Sequence, residues 1–137
     1  MQTFLPSPNF RNSAIALDQR RLGKQRVEVL QILNALHGVS RGWQNHPATR
    51  MWKGYEPALW FYGQTVIGEW VARGYQNNMM LPGEYSLNEI DFPPWLGNEA
   101  FHASHRSNLL RKDPLWYGQF GWTESPDLPY VWPAQGD

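Results

Sequence analysis

Apolar residues recur at helical spacing in two long stretches of the chain. Across residues 18–37, leucines and a valine are separated by seven, four and three positions, and Gly38 follows where a helix would end. In the second stretch, Pro57 opens a segment that continues through Arg73 and stops at Gly74. The pattern therefore predicts two long helices, each burying one apolar face.

Shorter helices are predicted over residues 10–18, from Pro47, and over residues 98–112, whereas residues 76–97 are rich in Pro and Gly and form a long irregular crossing. Alternation typical of strands is confined to Thr3–Leu5 and Tyr130–Trp132. The predicted fold class is all-α: a compact, single-domain helical bundle over residues 1–137, with long irregular connections and an aromatic-rich C-terminal tail.

Composition narrows the class of protein. The 137 residues are 42% hydrophobic and contain no cysteine, which excludes disulfides, thiol catalysis and zinc–thiolate sites. No apolar run reaches the roughly 18 residues of a membrane span, and the first residues lack a signal-peptide pattern. We expect a cytoplasmic monomer that does not bind membranes.

Charge is distributed unevenly although it sums to zero. Residues 1–53 carry eight Lys/Arg and two Asp/Glu, whereas residues 54–105 carry one Lys/Arg and six Asp/Glu. A basic N-terminal half can present a patch to phosphates, and it can equally be a solvated helix face. Charge alone leaves both interpretations open.

The helix predicted over residues 18–37 carries the most informative group of polar side chains. Arg26 falls on the apolar face, where a buried guanidinium needs an acidic or anionic partner. Arg21, Gln25 and Glu28 follow one another at i, i+4 and i+7 and form a ridge beside that face. Ordinary i,i+4 pairing explains Lys24 with Glu28, but it does not explain an inward Arg26.

Some aromatic and histidine side chains are predicted to pack in the core, and for others both a packing role and a binding role remain open. Trp60 and Trp70 lie on a helical stripe and are expected in the core. Trp43, near Arg41, and the cluster 116–122 either pack or stack on unpaired bases. His102 and His105, beside Arg106, suit phosphate contact or a hydrogen-bonded core role. A metal site there lacks a third ligand, and no phosphate loop, serine elbow or zinc-protease motif occurs.

The order of several segments is similar to one family of DNA repair enzymes. The segments are Leu17–Leu22 followed by Gln25–Glu28, then His46, Tyr55 and Ala72–Tyr75, and finally Arg106, Pro114, Trp116–Tyr117 and Phe120–Gly121. Together they resemble the pyrimidine-dimer DNA glycosylase/AP lyase family, of the phage endonuclease V type. The opening residues resemble small bacterial and phage relatives that begin in a similar Thr-Phe-Leu-Pro manner.

The resemblance implies an all-helical domain whose N-terminus is threaded into the active site. There the N-terminal α-amine, on Met1 in this chain, attacks C1′ of a damaged nucleotide and forms an imine, without a cofactor or a metal. An α-amine is neutral more often near pH 7 than a lysine amine is. Glu28 would assist opening of the sugar ring and the β-elimination that follows.

The resemblance also implies double-stranded DNA with a damaged or modified base as the partner. Gln2 follows Met1, and Val27 stands where the family has arginine before its glutamate, so the lesion itself stays open. The expected substrate- or DNA-binding residues are Arg21, Lys24, Gln25, Arg26, Arg41, His46, His105, Arg106, Trp116 and Tyr117. We expect the N-terminus, the ridge and the His105–Trp116 segment to converge on one concave surface.

Two other classes of function remain open on the sequence. A non-catalytic nucleic-acid-binding module would need the basic residues but not Glu28. A protein-interaction domain would need only the aromatic segment 114–132.

Overall fold

The computed structural model describes residues 1–133, and these residues form six α-helices joined by irregular segments and two short 3₁₀ turns. The helices are α1 (Phe10–Ala16), α2 (Gln19–Leu36), α3 (Pro47–Arg50), α4 (Glu56–Ala72), α5 (Glu99–Lys112) and α6 (Pro114–Tyr117). The 3₁₀ turns are Leu87–Glu89 and Gly118–Phe120. The prediction of an all-α fold is confirmed.

The two strand predictions are wrong, because the part of the chain that is described contains no strand. Thr3–Leu5 is buried, but its backbone groups bond to side chains of the helices rather than to a neighbouring strand. Tyr130–Trp132 is likewise irregular. An alternating pattern in so short a segment does not by itself supply the partner that a strand requires.

Local sequence sets most helix ends. The Asn9 side chain accepts a hydrogen bond from the Asn12 amide at 2.9 Å and caps α1, and Asn98 caps α5 in the same way. After α2, Gly38 has a φ of +75°, the left-handed conformation in which glycine commonly ends a helix. The long-helix boundaries predicted from periodicity lie within two residues of those observed.

The core forms where α2 packs against α4. Val29 and Leu33 of α2 and Leu59 and Tyr62 of α4 are fully buried. The helices approach closely at Gly63, where an added Cβ would lie 2.7 Å from Cγ1 of Val29. This contact holds the polar side of α2 toward the N-terminal residues.

The aromatic side chains of α4 and α6 complete the packing. Trp60 and Trp70 are partly buried against the core rather than fully enclosed by it. The short helix α6, which the sequence did not predict, is tied to the start of α2 because the Tyr117 hydroxyl donates a hydrogen bond to the Asp18 carboxylate. Among the helices of residues 1–133, none combines the length and hydrophobicity needed to cross a membrane.

Candidate active site

The first six residues, which we call the N-terminal segment, run as irregular backbone through the interior of the fold. Residues 2–6 are buried. Side chains of α2, α4 and α5, together with Trp52 after α3, bond to their backbone and hydroxyl groups. The Trp52 indole donates a hydrogen bond to the Thr3 hydroxyl at 3.0 Å, and the Tyr62 hydroxyl donates to the Phe4 carbonyl. A buried backbone of this kind is stable only because its polar groups are paired.

Two histidines of α5 fix the far end of the N-terminal segment. The Leu5 amide donates to Nδ1 of His105 at 2.9 Å, and the Leu5 carbonyl accepts from Nδ1 of His102 at 2.7 Å. Burial, with a smaller effect from His102, lowers the pKa of His105 to about 3, so its ring is neutral at physiological pH. Both histidines therefore have the hydrogen-bonded core role, and neither ring is exposed to a phosphate.

Gln25 of α2 fastens the near end of the segment. Its amide nitrogen donates to the Gln2 carbonyl at 2.7 Å, and its oxygen accepts from the Phe4 amide at 2.6 Å. The Tyr62 hydroxyl lies 2.9 Å from the same oxygen. One side chain thus satisfies two backbone groups of a buried segment, in the manner of a strand partner.

Glu28, one helical turn further along α2, meets the segment at its start. Its Oε2 accepts a hydrogen bond from the Gln2 amide at 2.9 Å, while its Oε1 lies 3.7 Å from the Lys24 ammonium. One residue of backbone spans at most about 3.6 Å, which limits the distance from the Met1 amine to Oε2 to about 6.5 Å. The amine and the carboxylate are therefore close enough to act on one substrate atom.

An open cavity of about 440 Å³ lies over this junction. Its lining comprises Met1, Gln2, Phe4, Arg20, Arg21, Lys24, Gln25, Glu28, Lys112 and Tyr130. Four of these side chains are cationic and one is anionic. Burial lowers the pKa of Lys112, and the positive charges of Arg21, Arg111 and Lys24 lower it further, while the Glu28 carboxylate raises it. A concave surface of this charge attracts anions.

His46 lies beside the same junction. Its Nδ1 accepts from the Ala48 amide at 3.0 Å and caps α3. Burial lowers the pKa of His46, the positive N-terminal amine lowers it further, and the Glu28 carboxylate raises it. The N-terminal amine and the Glu28 carboxylate therefore both affect the protonation of the imidazole, although His46 does not line the cavity.

Several expected DNA-binding residues lie away from the cavity. Arg26 is half-buried, but its guanidinium stacks 4.5 Å from the centre of the Trp70 ring and donates to the Asn77 side chain at 2.6 Å. It finds an aromatic face and an amide instead of an anion. Arg41 is exposed in the loop before α3 and is also absent from the cavity lining.

The C-terminal candidates also have structural partners. Arg106 donates to the Pro6 carbonyl at 2.8 Å and pairs with Glu99 and Glu124. The Trp116 indole donates to the Ala16 carbonyl at 2.8 Å, and Tyr117 is fully buried. The expected convergence thus holds for the N-terminus and the ridge, while Lys112 is the one residue of the 105–116 segment in the cavity lining.

Sequence reasoning missed five lining residues, which are Gln2 and Phe4 of the N-terminal segment together with Arg20, Lys112 and Tyr130. Arg20 precedes the ridge by a single position, so its place on the helix could have been found from the same helical geometry. Lys112 lies in the last turn of α5, where cations are favoured for the helix dipole alone. Tyr130 lies in an irregular segment whose path the sequence does not specify.

Comparison with protein families gives a match. A family model described as pyrimidine dimer DNA glycosylase matches residues 1–82, which include the N-terminal segment, Gln25 and Glu28. Searches of curated proteins and of solved structures returned no match.

Proposed function

Because the chain belongs to the pyrimidine dimer DNA glycosylase family, we propose that it excises a damaged or modified pyrimidine base from duplex DNA through an imine on its N-terminal amine. Glu28 is the catalytic carboxylate of this reaction. The basic side chains of the cavity bind the phosphates on either side of the damaged nucleotide. The reaction then continues as an AP lyase, which cleaves the DNA backbone.

The observation that carries the proposal is the contact between the start of the chain and Glu28. The Gln2 amide donates to Oε2 at 2.9 Å inside a cavity lined by Met1. A nucleophile and its general acid/base must lie within hydrogen-bond reach, or one water, of the reacting atoms. A buried segment held by Gln25, Tyr62 and His105 gives the amine this position without a conformational search.

The chemistry can be written with these two groups and water. The neutral α-amine attacks C1′, and the bond from C1′ to the base breaks with its electron pair leaving on the base, which takes a proton from water. The amine, now positively charged, passes one proton to Glu28. Glu28 then protonates the ring oxygen as the sugar opens, which leaves an iminium between the protein and C1′. Removal of a C2′ proton by Glu28 expels the 3′ phosphate, and water hydrolyses the imine to free the enzyme.

Phosphate binding follows from the charge of the cavity. Arg20, Arg21, Lys24 and Lys112 line the cavity together with the Glu28 carboxylate. Phosphate contacts position a protein on DNA without reading its sequence, which suits an enzyme that must find a lesion in any context. A damaged nucleotide is also easier to move out of the base stack than an intact one.

The proposal is tested by incubating the purified protein with duplexes that carry different pyrimidine lesions, beside Glu28→Gln. We expect the wild type to incise at least one of them. Glu28→Gln should bind the same duplex at least as tightly, because it removes a negative charge near the phosphates, yet turn over roughly 10²–10⁴-fold more slowly. Equal incision by both proteins would exclude Glu28 from the chemistry, and binding without incision of any lesion would favour a non-catalytic DNA-binding module.

A further inference from the structure

A second concave surface lies between α4 and the irregular segment that follows it. This surface is a groove of about 420 Å³, and its apolar lining consists of Trp60, Ile67, Met79, Met80 and Leu81. We call it the methionine groove. It shares no described lining residue with the cavity over Glu28. Methionine side chains are unbranched and adapt their shape to a bound apolar group.

The methionine groove contains groups that a ligand would satisfy. Met80 is 88% exposed, so most of its apolar side chain lies in water. The indole N–H of Trp60 is enclosed and has no acceptor within the part of the chain that the structure describes. An exposed apolar side chain and an enclosed, unpaired donor are both unfavourable. A ligand that covers the first and offers a carbonyl to the second therefore gains affinity.

Residues 76–81 form an unpaired edge beside the methionine groove. Their burial alternates, since Gln76, Asn78 and Met80 are exposed and the residues between them are more covered, which is the period of a β-strand. Among residues 1–133, however, no backbone group of this edge bonds to another backbone group. A strand-like edge without a neighbour is the surface to which an extended peptide adds.

Three carboxylates lie around the methionine groove. Glu84 lines the groove and is exposed. The Tyr85 ring packs against Trp60, with ring centres 5.8 Å apart. Burial raises the pKa of Tyr85, and the carboxylates of Glu56 and Glu89 raise it further. We call Glu56, Glu84 and Glu89 the acidic rim, and none of them forms an ion pair within residues 1–133. The acidic rim favours a basic ligand.

The methionine groove and the cavity lie on opposite sides of α2. Arg26 donates to the Asn77 side chain, which lines the groove, whereas Glu28 lines the cavity. Residues two positions apart on an α-helix point about 160° apart around its axis. A ligand in the groove therefore leaves the cavity open.

We propose that the methionine groove is the docking site for an extended, basic segment of a partner protein. The segment pairs its backbone with residues 76–81 and places alternate apolar side chains in the groove, while its Lys or Arg side chains meet the acidic rim. Main-chain hydrogen bonds supply affinity in this mode of binding, and the alternate side chains supply specificity. The inference does not depend on the chemistry of Met1 and Glu28.

The test measures binding of the whole protein to three labelled peptides by fluorescence anisotropy. The basic apolar peptide is Lys-Val-Lys-Leu-Lys-Val-Lys. The acidic peptide has Glu in place of each Lys, and the polar peptide has Ser in place of each Val and Leu. The basic apolar peptide should bind about ten- to 100-fold more tightly than the polar peptide, the factor expected from burying an apolar side chain. It should also bind more tightly than the acidic peptide, because the acidic rim repels carboxylates.

Two N-methylated forms of the basic apolar peptide test the backbone pairing without changing the protein. One form is methylated on the Val and Leu amides and the other on the Lys amides. In an extended chain these two sets of amides point to opposite edges, and only one edge pairs with residues 76–81. One form should therefore bind within about threefold of the parent peptide, whereas the other should lose at least about tenfold in affinity.

Two variants and one resonance locate the binding at the methionine groove. Glu84→Lys should weaken the basic apolar peptide and strengthen the acidic peptide, because it reverses a charge of the acidic rim. Asp127→Lys, the matched control at an exposed carboxylate outside the groove, should change neither affinity. The NMR resonance of the Trp60 indole N–H, assigned by its loss in Trp60→Phe, should shift when the basic apolar peptide binds.

Several results would overturn the proposal. They are equal binding of the basic apolar and polar peptides, equal binding of the two methylated forms, and an unchanged peptide preference in Glu84→Lys. A Trp60 resonance that stays in place while the basic apolar peptide binds would also overturn it. Tighter binding of the acidic peptide by the wild type would assign peptide binding to the basic cavity instead of the methionine groove.

Discussion

Gln25 offers the sharpest perturbation of the N-terminal segment, because one side chain pairs two of its buried backbone groups. Gln25→Ala removes the donor to the Gln2 carbonyl and the acceptor of the Phe4 amide, which lie at 2.7 Å and 2.6 Å. The Tyr62 hydroxyl keeps its alternative acceptor, the Phe4 carbonyl. Two buried groups are therefore left without partners.

The size of the effect follows from those two groups. An unpaired buried backbone group costs about 1–3 kcal/mol, so Gln25→Ala should lower the free energy of unfolding by about 2–6 kcal/mol unless residues 1–4 move into water. If they do move, the loss of stability is smaller, but the amine leaves Glu28. A displacement of 1 Å at a reacting group costs on the order of 10²-fold in rate.

Two measurements follow the change: urea unfolding, and the single-turnover rate of borohydride trapping on a lesion duplex, taken where both proteins are folded. Gln31→Ala is the matched control, because it makes the same substitution at an exposed position of α2. We expect the control to match the wild type in both assays. A trapping rate within twofold of wild type for Gln25→Ala would refute the claim that Gln25 positions the amine.

Three further predictions concern stability and charge. From pH 7 to pH 5 the free energy of unfolding should fall by about 2 kcal/mol through His105. Its pKa near 3 keeps the ring neutral in the folded protein, whereas the ring in the unfolded chain protonates below about pH 6.5. His105→Asn should remove this part of the pH dependence, measured by chemical denaturation. Gly63→Ala should lower the free energy of unfolding by about 1–3 kcal/mol, because the added Cβ clashes with Val29. Gly68→Ala should raise it by up to about 1 kcal/mol, because an added Cβ there meets nothing within 4 Å. Equal effects of the two changes in thermal unfolding would contradict the packing described for α4. Lys24→Gln should reduce the slope of log K against log salt for duplex binding by about 0.9, whereas Arg26→Gln should leave the slope unchanged and reduce stability; a slope change for Arg26 would place its guanidinium on DNA after all.

The helical framework was predictable because its causes are local. The repeat of apolar residues along α2 and the glycine at its end act within a few residues of one another, and they placed the ridge of Arg21, Gln25 and Glu28 on one side of the helix. The short helix α6 was missed because the bond from Tyr117 to Asp18 that ties it down joins residues 99 positions apart.

The partners of the polar side chains were harder to predict. The requirement that an inward Arg26 find a partner was sound. Its partners are the Trp70 ring, 44 residues away in sequence, and the Asn77 amide, 51 residues away, and the sequence gives no signal for either. His105 is similar, since its role depends on the Leu5 backbone 100 residues earlier. Helical geometry shows which face a side chain occupies, whereas tertiary packing decides what it meets there.

The location of the covalent adduct tests the central claim most directly. The protein is incubated with borohydride and an intact lesion duplex of the kind that it incises. The trapped complex is digested, and mass spectrometry identifies the residue that carries the sugar. We predict that the adduct lies on the α-amine of Met1, or of Gln2 in any chain that lacks Met1, and that acetylation of the N-terminus abolishes it. An adduct on the ε-amine of Lys24 or Lys112, or full incision by the acetylated protein, would contradict the account.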